Sequence, residues 1–215
     1  MTDPCEAYHI WYYETRVWFS TNFLGVPAQK SVSDLWNYQE ILTEMKPSLV
    51  VEFGTLYGGS TLFFATILGL VSQRSKVLSV DIEHGKVDQR VRRHRRVELM
   101  QCDTTLPAVA TRIISLRRKY PGNIFCILDS NHAKNHVLAE LMLVRSVTRA
   151  GDYVVVEDGN INGHPVWRGW CEGPSEALEE YKARYPDDYS PDLAREQKFG
   201  FTFALTGFLI RRGPA

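Results

Sequence analysis

Val50-Val51-Glu52-Phe53-Gly54-Thr55-Leu56-Tyr57-Gly58-Gly59-Ser60 joins an apolar run to a glycine-bearing turn. The run from Ser48 to Phe53 reads as a buried strand, and Ser60-Thr61-Leu62-Phe63-Phe64-Ala65 opens a helix-like apolar segment. Glycines at a strand-to-helix junction let backbone N–H groups come close to a ligand. A second strand, Lys76 to Val80, ends in Asp81, an acid placed to accept hydrogen bonds from both hydroxyls of a ribose. Together these features imply an adenosine-type cofactor.

The spacing separates two such cofactors. Dinucleotide folds carry G-x-G-x-x-G to accommodate a pyrophosphate. Here Glu52 stands at the strand end and the G-x-G pair is missing. A carboxylate beside the cradle repels a pyrophosphate but suits the ammonium of a methionine moiety, so S-adenosylmethionine is the expected cofactor.

Working outward, strand-like and helix-like segments alternate. Val97–Gln101 reads as a third strand with Cys102 and Asp103 at its tip, and Pro107–Tyr120 as a helix. Ile124–Leu128 is a fourth strand tipped by Asp129, Ala133–Arg149 a helix, and Tyr153–Val156 a fifth strand tipped by Glu157 and Asp158. Continuous apolar strands between helices imply a parallel sheet covered on both faces. Gly200–Leu205, a Thr206-Gly207 turn and Phe208–Arg211 read as an antiparallel hairpin closing that sheet. The expected fold class is α/β, a Rossmann-like class I methyltransferase whose mostly parallel sheet ends in an antiparallel hairpin.

Composition narrows the function. The chain has 215 residues and formal net charge +0, so no bulk charge draws it to nucleic acid or anionic lipid. Its one basic run, Arg90 to Arg96, has no interleaved aromatics and reads as a solvated segment. No apolar run approaches the ~20 residues that span a bilayer, and the start lacks a signal-peptide pattern. The four cysteines are scattered, which suggests reduced thiols and a cytoplasmic protein.

The acids at the strand tips form a second constellation. Ligands of open α/β sheets bind outside the carboxyl ends of the strands, so Asp129, Glu157 and Asp158 should converge on one side of the cofactor crevice. Like charges gathered there call for a cation, and all-oxygen donors suit Mg²⁺ or a similar divalent ion.

Beyond these features, the chain resembles the cephalosporin hydroxylase family, which includes rhamnosyl O-methyltransferases. The matching segments include Leu24–Lys30, Asp34–Glu40, Glu52–Ser60, Ser79–Glu83, Leu128–His132, His136–Leu141, Val156–Pro165, Gly173–Ala177 and Lys198–Phe203. The resemblance implies a class I methyltransferase fold, S-adenosylmethionine, a divalent metal on Asp129, Glu157 and Asp158, and a homo-oligomer. Three positions depart from the family pattern. Asn131 stands where an Asp is usual, Tyr57 where an Arg is frequent, and Gly159 where a Thr follows the paired acids.

The expected cofactor contacts are Glu52, Gly54, Thr55, Tyr57, Gly58, Gly59, Ser60, Asp81, Ile82, Asp103 and Asp129. The expected catalytic residues are Asp129 and His132. His132 lies three positions beyond Asp129, in the slot where metal-dependent O-methyltransferases carry a base, and its pKa range suits that role. His136, one helical turn on, is a second candidate. His164 is expected in a loop at the substrate entrance, and Trp167, Trp170 and Tyr189 are candidates for an apolar acceptor wall. Residues 1–45 are expected to form a helical extension that covers the site or makes an oligomer contact, and 46–215 the methyltransferase domain.

The reading that best fits these features is a metal-dependent O-methyltransferase acting on a hydroxyl of a sugar or natural-product small molecule. A non-catalytic cofactor-binding partner of a hydroxylase is one alternative. A nicotinamide-dependent oxidoreductase is the other, disfavoured by the missing G-x-G pair.

Overall fold

The computed structural model describes residues 3–213. In chain order the elements are α1 (Pro4–Glu14), β1 (Asn22–Phe23), β2 (Val26–Pro27), α2 (Val32–Met45), β3 (Leu49–Phe53), α3 (Gly59–Val71), β4 (Lys76–Asp81), α4 (Gln89–Arg92) and β5 (Val97–Gln101). There follow α5 (Pro107–Lys119), β6 (Ile124–Leu128), α6 (Lys134–Val147), β7 (Tyr153–Val156), α7 (Pro174–Arg184), β8 (Tyr189–Pro191), α8 (Leu193–Gln197) and β9 (Phe208–Arg211).

Seven strands form one sheet in the order β5-β4-β3-β6-β7-β9-β8. The first five are parallel, with Val50 beside Val77 on one side and Phe125 on the other. Alternation along β3 divides the core. Leu49, Val51 and Phe53 pack with Ile113 of α5, Leu141 of α6 and Tyr181 of α7. Val50 packs on the opposite face with Leu42 of α2 and Phe64 of α3. Both faces being covered explains why these strands read as unbroken apolar runs. The chain leaves β3 for β4 on one side and reaches β6 on the other, which opens a crevice above the carboxyl ends of β3 and β6.

The antiparallel finish is present, but its strands differ from those the sequence suggests. Residues 200–205 form no strand. β9 runs antiparallel to β7, with Tyr153 opposite Ile210, and to β8, with Ser190 opposite Ile210. Buried Asp34 of α2 accounts for the difference. It accepts hydrogen bonds from Thr202 Oγ1 at 2.6 Å and from the Phe203 N–H at 2.9 Å, turning the segment toward α2 and away from a ladder.

The arginine run is largely a set of clamps. Arg90 donates to the carbonyls of Leu24 (2.5 Å) and Gly25 (3.3 Å), and Arg92 to those of Val87 (3.1 Å) and His84. Arg96 is buried and donates to Gln73 O at 3.2 Å. Arg90, Arg92, Arg93 and Arg95 are nonetheless exposed, as the solvated reading expects, and Arg96 alone of the five is buried. No helix among the described residues is long and apolar enough to cross a membrane.

Candidate active site

The turn after β3 is built from carboxylate-to-backbone bonds. Asp81 Oδ2 accepts from the N–H groups of Thr55 (2.7 Å) and Leu56 (3.0 Å), and Oδ1 from that of Glu83 at 3.2 Å. Gly54 has φ +95°, and a Cβ there would lie 2.0 Å from the Asp129 carbonyl oxygen. A residue without a side chain is therefore needed for the tips of β3 and β6 to meet.

Glu52 takes a different role from the one its position suggests. It is buried beneath the turn and accepts from the hydroxyls of Ser60 (2.5 Å), Ser79 (2.7 Å) and Thr61. Its side chain does not line the cavity, so it shapes the cradle from behind and does not face a ligand ammonium. Burial holds its carboxyl above the ordinary range despite those hydroxyl donors. Gly58 and Gly59 also lie off the cavity lining. A Cβ on Gly59 would sit 2.3 Å from Pro27 O, so this glycine admits the β2 strand against the start of α3.

A cavity of about 510 Å³ opens above the strand tips. Gly54, Thr55, Tyr57, Ser60, Asp81, Ile82 and Asp103 line one side, and Asp129, His132, Glu157 and Asp158 another. At its edge His136 Nε2 lies 2.9 Å from Thr104 Oγ1, 3.2 Å from Ser130 Oγ and 3.2 Å from buried Glu140. The Glu140 bond holds the His136 imidazole above its ordinary pKa against the opposing effect of burial. Asn131 also faces the cavity, but its Oδ1 accepts the Ala133 N–H at 2.9 Å, leading the chain into α6.

Asp129, His132 and Asp158 present donor atoms within 4.8 Å of one another. His132 Nδ1 lies 3.4 Å from Asp158 Oδ2. Asp158 adopts a left-handed backbone (φ 55°), a strained conformation that Asp tolerates better than most residues and that is frequent at functional sites. Burial raises the carboxyl pKa of Asp129, Glu157 and Asp158 alike.

Glu157 lines the same cavity with its Oε1 already engaged. It accepts from Tyr38 Oη at 2.6 Å and pairs with Lys30 Nζ at 3.1 Å. Lys30 also contacts Asp129 Oδ2 and is 3% exposed. This ammonium escapes a strand-by-strand reading, because Lys30 sits in an irregular segment 99 residues from Asp129. Burial opposes its charge, but Asp129 and Glu157 outweigh that and hold its pKa above the ordinary lysine value.

The opposite wall is aromatic. Tyr13, Trp18 and Phe19 from the N-terminal segment join Trp167 and Phe203. Trp170 packs on Trp167 with centroids 4.3 Å apart, whereas Tyr189 is buried in the core on the far side of the sheet. The aromatic density of residues 8–19 is the signal that could have located this wall. His164 is tied to Glu176 at 3.0 Å and does not line the cavity.

An open sheet of this order, with a ligand-sized cavity above its central strand tips, is the class I methyltransferase architecture. CmcI solved without ligand shares it, with a TM-score of 0.73 and 20% identity over 91% of this chain and 78% of that one. CmcI solved with Mg-SAM gives a TM-score of 0.69 at 18% identity, over 90% and 77%. The chain belongs to the Rhamnosyl O-methyltransferase/CmcI family, whose sequence profile matches residues 15–212. A relative from Mycobacterium tuberculosis named rhamnosyl O-methyltransferase is 54% identical over 206 residues, spanning 96% of this chain and 84% of that protein.

Proposed function

We propose that this protein is an S-adenosylmethionine-dependent O-methyltransferase that acts, with a divalent ion, on a hydroxyl of a sugar-bearing small molecule. The observation that carries the reading is that Asp129, Asp158 and His132 share one cavity with the Gly54–Ser60 turn. The name of the 54%-identical relative supports the acceptor class, and the Mg-SAM state of CmcI supports the cofactors.

The residues fit both groups. Asp129 and Asp158 offer hard oxygen donors suited to Mg²⁺, with Glu157 beside them. Gly54 to Tyr57 and Asp81 offer a turn and an acid for an adenosyl group. When bound, the cofactor supplies an electrophilic methyl on a sulfonium and the ion polarises the acceptor hydroxyl.

The chain's own groups then align and deprotonate. The aromatic wall holds the acceptor's body and shuts out water. His132, its Nδ1 turned toward Asp158, takes the hydroxyl proton at Nε2. Asp158 stabilises the resulting imidazolium.

Product mass spectrometry over rhamnosylated and phenolic acceptors, with S-adenosylmethionine and Mg²⁺, tests the reading. A mass gain of one methyl group, lost on exhaustive chelation, is expected. Transfer that survives chelation overturns the role of the ion, and no methylated product from any glycosylated acceptor overturns the acceptor class.

A further inference from the structure

We propose that Lys30 is a built-in counter-ion of the acid cluster that competes with the divalent ion, so that the protein's own ammonium sets the metal affinity. The proposal rests on the metal reading above and adds to it a positioning residue.

Three observations carry it. Lys30 Nζ lies against Asp129 Oδ2 and 3.1 Å from Glu157 Oε1, so it occupies two of the carboxylates expected to hold the ion. Its side chain is 3% exposed, so water does not screen the ammonium from a cation bound beside it. Its backbone is fixed as well, since the Lys30 N–H donates to Thr21 Oγ1 at 3.2 Å, whose own proton goes to Trp18 O at 2.7 Å.

The charges explain the purpose. Asp129, Glu157 and Asp158 brought together without a cation would repel one another. Lys30 places a positive charge between Asp129 and Glu157 that offsets their repulsion. An ion that takes Asp129 Oδ2 must displace the ammonium from that atom, then bind near a like charge. Both effects weaken the ion's hold, and both disappear when the ammonium is removed.

Calorimetric titration of Mg²⁺ into the full chain, at a fixed pH near 8, provides one test. The dissociation constant of Lys30→Met should be at least tenfold below that of the wild type, in a variant whose circular dichroism matches the parent. Equal or weaker binding by the variant overturns the inference and leaves the metal reading standing. Heat from neither protein removes both.

A second measurement needs no variant. A buried ammonium exchanges its protons slowly, so the wild type with ¹⁵N-labelled lysine should show a protected side-chain NH₃⁺ resonance. That signal should move on addition of Mg²⁺ and saturate with the calorimetric constant. A resonance unmoved at saturating Mg²⁺ overturns the proposal even if Lys30→Met does not fold.

Discussion

The two walls of the cavity are organised in opposite ways. On the cofactor side each carboxylate answers to hydroxyls and backbone N–H groups. Asp81 serves Thr55, Leu56 and Glu83, and Glu52 serves Ser60, Thr61 and Ser79. On the acid side Asp129, Glu157 and Asp158 face one another, with Lys30 as the buried ammonium between the first two. The first wall is shaped by directed hydrogen bonds within the turn. The second concentrates unfavourable charge that a cation relieves, and it is there that chemistry is expected.

Removing a group from the acid wall should therefore cost most. Asp158→Ala should lower methyl transfer about 10³-fold, the equivalent of several kcal/mol of lost charge stabilisation, with cofactor affinity retained. Initial rates beside a calorimetric titration would check this, and a variant with full activity would break the contrast between the walls. His132→Ala should lower turnover about 10²-fold while S-adenosylmethionine affinity, measured calorimetrically, stays unchanged. On the cofactor wall, Asp81→Ala should weaken S-adenosylmethionine binding at least ~10-fold while turnover at saturating cofactor changes less.

A smaller effect tests the support beneath the acid wall. Glu176 accepts from the Gly173 N–H at 2.6 Å, from Asn162 Nδ2 at 2.9 Å and from His164 at 3.0 Å, pinning the loop after Asp158. Burial opposes the charge, but these bonds hold its pKa down to about 2. A depressed carboxylate stabilises the fold above its unfolded pKa, near ~4.3, and that stability is lost as pH falls toward the folded value. The stability difference between wild type and Glu176→Gln should be ~1 kcal/mol above about pH 5 and shrink as pH falls toward 2. Denaturant melts across that range would show it. The smallest effect should come from Arg93→Gln, which should melt with the wild type, whereas Arg90→Gln should lower the denaturation midpoint by releasing the Leu24 and Gly25 carbonyls.

The same contrast explains what the sequence disclosed. The cofactor wall is local, its partners lying 2 to 27 residues apart, so strand, turn and second strand could be read in order. The acid tips were legible because strand ends follow from apolar runs. What occupies the space between them was not. Lys30 and Asp129 are 99 residues apart, Tyr38 and Glu157 119, and Asp34 and Thr202 168. Glu52 illustrates the limit on the local side. The apolar run puts it at the strand end, but only the packed structure reveals three hydroxyls waiting beneath the turn.

Much of the cavity's aromatic side comes from one continuous piece of chain, with Trp167 and Phe203 completing it. Tyr13, Trp18, Phe19 and Lys30 all belong to the segment that crosses the strand tips, held at its far side by Arg90 and seated on Gly59. The cofactor turn and the strand-tip acids lie wholly outside it. Exchanging residues 13–30 between relatives, with Arg90 and Gly59 kept as the seat, would then transplant acceptor choice and metal appetite together. A library confined to those eighteen consecutive codons would test how far this one segment sets acceptor choice, with Trp167 and Phe203 held constant.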